Sequence, residues 1–359
     1  MRLTVVGNPA NRRVALFAAA AVAAGLPRPT VLPWRGVVTG AAPPPPAGAV
    51  VRIDSPGEDR EVDRLLRGAP EPARHGELIG LAAAHDGLVS ALDRVASGGA
   101  RLLNQPGDIA VMGDKRRCHA VLSAAGIPVP PALPPVAGYA DLREAMAAAG
   151  WGRVFVKPAH GSSAAGVIAL AAGPGRIQAT TTIEVADGRL FNSLRLRRYT
   201  DEPVVAAIVD RLAPDRLHVE RWLPKAGLHD RVVDLRVVAV AGRPTHAVVR
   251  AARGPLTNLH LGNARGDLTA LREAAGAAAW SAAMETCERV AACFPRTLHV
   301  GIDLMFRAGW RGHATAEVNA FGDLLPGVLA DGRDTYAEQI RALLTGWTPT
   351  AREETRCAS

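Results

Sequence analysis

LHVGIDLMF (298–306), RAGWRG (307–312) and HATAEVNAF (313–321) form the stretch whose reading decides the fold. In the first segment Val300, Ile302, Leu304 and Phe306 recur at every second position, which predicts a strand with one apolar face and leaves Asp303 on the other. In the third, Ala316, Val318 and Ala320 alternate with Glu317 and Asn319. A turn centred on Trp310 sets Asp303 opposite Glu317 and Gly301 opposite Asn319. Opposed residues hold their Cβ atoms about 4.5–5.5 Å apart, within reach of a shared hard cation. Like charges directly opposed destabilise a hairpin, so a metal ion or a proton is expected between the two carboxylates.

Around that hairpin the chain runs to 359 residues, enough for two or three units with their own cores. Lys and Arg outnumber Asp and Glu 42 to 34, but the arginines are scattered and aromatics are only 4%. That dispersion argues against a nucleic-acid face, which needs a basic stripe interleaved with stacking rings. A substrate carrying phosphates or carboxylates accounts for the charge equally well. Cys118, Cys287, Cys293 and Cys357 show no paired short spacing, so neither a zinc site nor a disulfide framework is expected, and a reducing cytoplasm is the default. The paired arginines of NRRVALFAAAAVAAGLP (11–27) fit a twin-arginine export signal. The strand and turn read from MRLTVVGNP ahead of them favour a helix of the fold instead. No other apolar run approaches the ~20 residues of a membrane span.

LTVVG (3–7), the Ala-rich helix to Gly25, TVLPW (30–34) and VVRI (50–53) alternate as strand and helix do in a parallel sheet. A further helix is expected over 76–97, then a strand RLLN (101–104), and the first unit closes near Met112. At the carboxyl end of VVRI, Arg52, Asp54 and Ser55 are substrate candidates; the competing reading of DSPGED (54–59) is a capped helix start before EVDRLLRG. Downstream, VFVKPAHGSSAAGVIAL (154–170) joins two apolar strands through small residues whose backbone N–H groups can close around phosphate oxygens, with Lys157 adding a point charge. The spacing is neither that of a P-loop nor that of a dinucleotide fingerprint.

In chain order, the motifs are Lys115 at a helix start, Lys157 before its Gly/Ser loop, LHVERWLP (217–224), VVDLRVVAVAGRP (232–244) and the hairpin with Asp303, Glu317 and Asn319. Together they resemble an ATP-grasp enzyme, of the branch containing the ribosomal-protein glutamate ligases and with a loop like that of the D-alanine ligases. The resemblance covers about residues 113–345. It implies an α/β chain: an N-terminal parallel-sheet domain at 1–112, then a two-lobed α+β domain at 113–345 with a nucleotide cleft between its lobes. A mobile lid lobe would span about 153–223, and 346–359 would be a tail.

The same resemblance implies roles residue by residue. Lys115 and Lys157 would hold ATP phosphates from two sides, under a loop containing Gly161, Ser162, Ser163 and Gly166. Glu220, Trp222 and Leu223 would form the adenine hinge, and Asp234 and Arg236 would open the next strand, the acidic member near the ribose. An extra stretch, KAGLHDRV (225–232), separates hinge and strand and leaves Asp230 as an alternative to Asp234. Arg250, Lys157 and Asn258 would contact the reacting phosphoryl group, with His260 and Gly262 in the same segment. Asp303, Glu317 and Asn319 would bind two Mg²⁺ ions, or Mn²⁺ in their place. The implied reaction is ATP-dependent joining of a carboxylate to an amine or thiol through an acyl-phosphate, on small-molecule or peptide substrates. An ATP-grasp kinase and a non-catalytic nucleotide-binding regulator stay open beside it. His119, His218, His299 and His313 do not cluster in the sequence and are expected to be ordinary satisfied residues.

Overall fold

The computed structural model describes residues 1–161 and 164–349; Ser162, Ser163, the residues from 350 onward and the His260 side chain lie outside the described residues. The first sheet is parallel. Its strands are β1 (Leu3–Gly7), β2 (Thr30–Pro33), β3 (Val50–Ile53) and β4 (Arg101–Leu102), in the order β2-β1-β3-β4. The helix Arg12–Ala23, capped by the Asn11 side chain, buries Val14, Phe17, Ala18 and Ala21. Residues 11–27 therefore supply a packed helix of the fold. No helix among the described residues is long and apolar enough to cross a membrane.

The helix expected from residue 76 begins only at Leu81. Gly76 and Gly80 take positive φ values of 75° and 64°, which break helical continuity, and the segment between them is extended. There the Leu78 N–H donates to the Leu190 carbonyl and the Asn192 N–H to the Gly76 carbonyl. Backbone groups that a helix would have satisfied locally are spent on a strand edge of the second sheet.

That second sheet is antiparallel, in the order β8-β7-β6-β5-β9, with β5 at Arg153–Pro158, β6 at Ile168–Gly173, β7 at Arg176–Ala186, β8 at Arg189–Tyr199 and β9 at Leu217–Arg221. Helices Tyr139–Ala148 and Glu202–Leu212 cover one face around Val154, Val156, Ile168, Leu170, Val205 and Val209. The third sheet carries β10 (Gly227–Leu228), β11 (Arg231–Val240), β12 (Arg243–Ala252), β13 (Ala264–Gly266), β14 (His299–Phe306) and β15 (His313–Asn319), in the order β13-β12-β11-β14-β15 with β10 beside β11. Its buried face shares one apolar cluster with the first sheet: Val51 and Ile53 belong to the same core as Leu235, Ile302 and Leu304.

The hairpin β14–β15 pairs Gly301 with Asn319 and Asp303 with Glu317, as the alternation predicts. Beyond Asp303 the register slips, and Leu304 faces Thr315. This bulge leaves Ala316 unpaired and, contrary to the alternation, sends it to the same cleft as Glu317 while Val318 and Ala320 stay in the core. Position 301 is glycine for a steric reason. A Cβ there would stand 2.6 Å from the Gly322 Cα, so the chain after β15 can fold back onto β14 only over a bare backbone.

Arg52 and Asp54, read as substrate candidates, lie inside the protein, each 1% exposed. The Arg52 guanidinium stacks between the rings of Phe17 and Tyr336, at 4.9 and 5.3 Å from their centroids. It donates to Asp323 Oδ2 at 2.7 Å and to the Gln339 side chain. The helix-start reading of the same loop fits the structure, since Asp59 caps Arg60–Leu66 through the Glu61 and Val62 N–H groups. Arg52 thus ties the first sheet to the segment following β15. Removing one partner of a buried ion pair strands the other, so Arg52→Met is expected to lower unfolding free energy by about 3–5 kcal/mol in denaturant titrations. The double variant Arg52→Met/Asp323→Leu should recover part of that loss. A single-variant effect below about 1 kcal/mol would mean that the pair carries no such tie.

Candidate functional site

Between the second and third sheets lies a cleft of about 580 Å³ of empty space. Its apolar section is lined by Phe155, Val167, Leu223, Leu256 and Met305, and its polar section by Lys157, Glu220, Lys225, Asp234, Arg250, Asp303 and Glu317. A smaller cavity continues from it past Lys157, Glu220 and Glu317 to Lys115, His119 and His218. A mixed lining of this kind suits a ligand with a flat apolar part and an anionic part.

The charged residues are set by strand register. Asp234 on β11 faces Arg250 on β12, and Arg236 on β11 faces Asp303 on β14, which in turn faces Glu317. Two cross-strand pairs of opposite sign, Asp234 with Arg250 and Arg236 with Asp303, therefore stand two residues apart along β11, and the like-charged Glu317 lies beyond Asp303 on β15. Arg250 donates through Nε to Asp234 Oδ1 at 2.7 Å and through Nη1 to Asp303 Oδ2 at 3.0 Å. Arg236 donates to Asp303 Oδ1 and Oδ2 at 2.5 and 3.2 Å. Burial alone would neutralise these groups. Instead Arg250 and Lys225 hold the Asp234 carboxyl well below its ordinary range, and Arg236 and Arg250 lower that of Asp303. The two carboxylates in turn keep the buried Arg250 firmly charged.

On the opposite wall, Lys157 Nζ lies 2.5 Å from Glu220 Oε1, and His218 Nε2 lies 3.2 Å from Glu220 Oε2. Burial would raise the Glu220 pKa, but Lys157 and His218 outweigh it and hold it at about 2. His218, expected to be an ordinary residue, thus belongs to the wall of the smaller cavity; its alternation with Glu220 along β9 was the available signal. Trp222 packs against Phe155 at 5.3 Å between ring centroids, and its backbone N–H donates to the Arg153 carbonyl. Lys115, at the start of Lys115–Ala124, donates to the Gly161 carbonyl at 2.8 Å and stands 3.8 Å from Glu317. Gly166 has φ of 72°, and a Cβ there would stand 2.7 Å from Pro158, so the turn after the loop needs glycine. Asn258 lines the cleft, whereas Asp230 is two-thirds exposed on the turn before β11 beside Arg231 and Arg253. Lys225 and Thr257, which sequence reasoning did not single out, also line the cleft; Lys225 was signalled only by the extra stretch after the hinge.

Among the described residues no group of three His, Cys, Asp or Glu could hold a metal ion. A cation here would depend on Asn319 as well as Asp303 and Glu317. The three supply oxygens only, the donors that magnesium takes. Asp303 Oδ2 takes two guanidinium hydrogen bonds, but among the described residues Oδ1 receives one and keeps a lone pair, and Glu317 pairs with Lys115 at 3.8 Å. The Asn319 amide nitrogen, a donor without a partner among the described residues, takes no part in this; its side-chain oxygen is the atom a cation would use. These residues fit a hard divalent cation.

No family model matches the sequence, and no curated protein shows a significant match. Solved structures do resemble it. D-cycloserine synthetase DcsG superposes with a TM-score of 0.60 at 16% identity, covering 96% of this chain and 100% of that one. The ATP-grasp ligase PsnB, complexed with minimal precursor, gives 0.54 at 16% identity over 96% and 99%. The same ligase with minimal precursor, Mg and ADP gives 0.50 at 18% identity over 96% and 97%. The RimK domain protein ATP-grasp from Sphaerobacter thermophilus DSM 20745 gives 0.54 at 15% identity over 96% and 100%. At these identities the likeness is one of fold.

The Glu220 ion pairs generate a pH prediction. Its folded pKa is depressed from 4.5 to about 2, so its contribution to stability is complete above about pH 4.5 and is lost as pH falls through about 2. Glu220→Gln is expected to remove that part of the acid slope in denaturant midpoints measured over this window. Parallel curves for wild type and variant would show that Lys157 and His218 do not hold the carboxylate ionised.

Proposed function

We propose that this chain, which has the ATP-grasp fold, is an ATP-dependent ligase that joins a carboxylate to an amine or thiol and releases ADP and phosphate. The observation that carries the reading is the convergence of Lys157, Arg250, Asp303 and Glu317 on one cleft whose other section is apolar. A carboxylate is a poor acyl donor. Transfer of the γ-phosphoryl group to it gives an acyl-phosphate, and attack by the amine or thiol then expels phosphate. Such a transfer needs positioning and charge neutralisation more than a covalent protein group.

In this reading the section lined by Phe155, Leu223 and Met305 receives the base, with Glu220 and Trp222 at its edge. Lys157 and Lys115 bind phosphate oxygens beneath the loop from Gly161 to Gly166, with Ser162 and Ser163 in that loop. Arg250 neutralises charge on the transferring group, held in place by Asp234 and Asp303, and Asn258 contacts the acyl-phosphate. Arg236 acts on the site through Asp303. Asp303, Glu317 and Asn319 would hold magnesium, whose contribution when bound is neutralisation of the phosphate charge. The PsnB complex with minimal precursor, Mg and ADP, in a protein of this fold, supports nucleotide and magnesium use.

Incubation with ATP, magnesium and pooled amino acids or short peptides, read for ADP and for new product masses, tests the proposal. ADP with a new amide or thioester supports it. ADP with a phosphorylated product identifies a kinase, AMP release excludes the acyl-phosphate route, and nucleotide binding without turnover points to a regulator. Asp303→Asn is expected to reduce turnover by at least about 100-fold, as loss of a group that stabilises transition-state charge does, while nucleotide binding partly survives. Unchanged turnover would remove Asp303 from the site.

A further inference from the structure

The stretch KAGLHDRV (225–232) separates the hinge from β11 and brings a cation into the cleft. Within it β10 turns back on β11, pairing Gly227 with Val232 and Leu228 with Arg231. Ala226 donates its N–H to the Phe306 carbonyl at 2.8 Å and accepts from the Val233 N–H at 3.0 Å. Lys225 forms a backbone bridge with Arg307. These bonds fix the Lys225 backbone at the end of β14, and its side chain, 12% exposed, lines the cleft.

There Lys225 Nζ lies 2.7 Å from Asp234 Oδ2 and 2.7 Å from Thr257 Oγ1. Asp234 accepts three hydrogen bonds: Arg250 donates to Oδ1, and Lys225 and the Thr257 hydroxyl both donate to Oδ2. The lone pair left on Oδ1 lies beside the Arg250 guanidinium, so a ligand hydroxyl has a freer partner in the Lys225 ammonium. An ammonium has three N–H groups, and the third on Lys225 has no partner among the described residues. Lys225 also sits where two sections of the cleft meet. It follows Leu223 of the apolar section by two residues, and it shares Asp234 with Arg250 of the anion-binding section.

We propose that Lys225 is the specificity-determining contact to the sugar of the bound nucleotide, donating a hydrogen bond to a ribose hydroxyl oxygen, and that Asp234 orients Lys225 and Arg250 rather than binding the sugar. This rests on the nucleotide reading of the cleft. The alternative is that Lys225 only balances the charge of Asp234 and holds Thr257.

The test is calorimetric titration, with magnesium present, of a non-hydrolysable ATP analogue and its 2′,3′-dideoxy counterpart into wild type, Lys225→Met, Lys225→Gln and Lys225→Arg. A hydrogen bond to a charged donor leads to an expected preference of about 10-fold or more for the ribose form in wild type. Lys225→Met is expected to weaken the ribose form by a similar factor and leave the dideoxy form within about twofold, while Lys225→Arg retains part of the preference. Lys225→Gln, which keeps a polar partner for Asp234, is expected to lose most of the preference as well, so a folding defect in the methionine variant does not decide the result. Equal weakening of both nucleotides, or no weakening, overturns the sugar contact in favour of the structural role. If wild type binds neither nucleotide, the nucleotide reading itself falls, and this assignment with it.

Discussion

Keeping Asp303 ionised inside the protein is the constraint on which the rest of the site depends. An isolated carboxylate at that depth would lose several kcal/mol of hydration, or would take up a proton. Two guanidiniums prevent this, Arg236 from the neighbouring strand β11 and Arg250 from β12, one strand further. Arg250 is itself buried and stays in place because Asp234 takes its other edge. The charges are therefore mutually dependent. Each is tolerated because the register of β12, β11 and β14 delivers its counter-ion at hydrogen-bonding distance, and none of these side chains has a stable ionised position alone.

Two local devices support that register. The bulge after Asp303 turns both Ala316 and Glu317 toward the cleft, whereas unbroken pairing would have placed them on opposite faces. The bare backbone of Gly301 lets Gly322 lie against β14, and the Gly322 carbonyl accepts from Arg236 Nη1 at 3.3 Å. The next residue, Asp323, is the anchor for Arg52. A continuous path of polar contacts thus runs from the first sheet, through Asp323 and Gly322, to the arginine that holds Asp303. The N-terminal unit contributes to the geometry of the site although none of its strands lines the cleft.

The second sheet brings a core of its own and meets the third across the cleft through a small apolar cluster, in which Phe155, Val167 and Ala169 face Leu256. Lys157 and Glu220 approach from that side, so the polar and the apolar sections are each built from two lobes. The cations of the cleft therefore come from separate elements, Lys157 from β5, Lys225 from the stretch before β11 and Arg250 from β12.

Much of this was legible in the sequence, and the limits have identifiable causes. Period-two alternation in 298–321 determines two strands and the opposition of Asp303 to Glu317, because side-chain period and turn position are local properties. The strand and helix order of residues 3–53 likewise determines a parallel sheet. The helix start at Leu81 was hidden, since the extended path of residues 76–78 depends on a partner strand more than a hundred residues away. Arg52 and Asp54 read as substrate candidates at a strand end because Asp323 and Gln339, which bind Arg52 inside the protein, lie 271 and 287 positions further along the chain. The pairing of Arg236 with Asp303 and of Arg250 with Asp234 depends on the order of strands within a sheet, which no local pattern encodes. Lys225 entered the cleft through a hairpin pinned to Phe306 and Arg307. Sequence by itself determined which residues could carry charge on which face; tertiary structure decided which charges meet, because the energy of a buried ion depends on neighbours that arrive from distant parts of the chain.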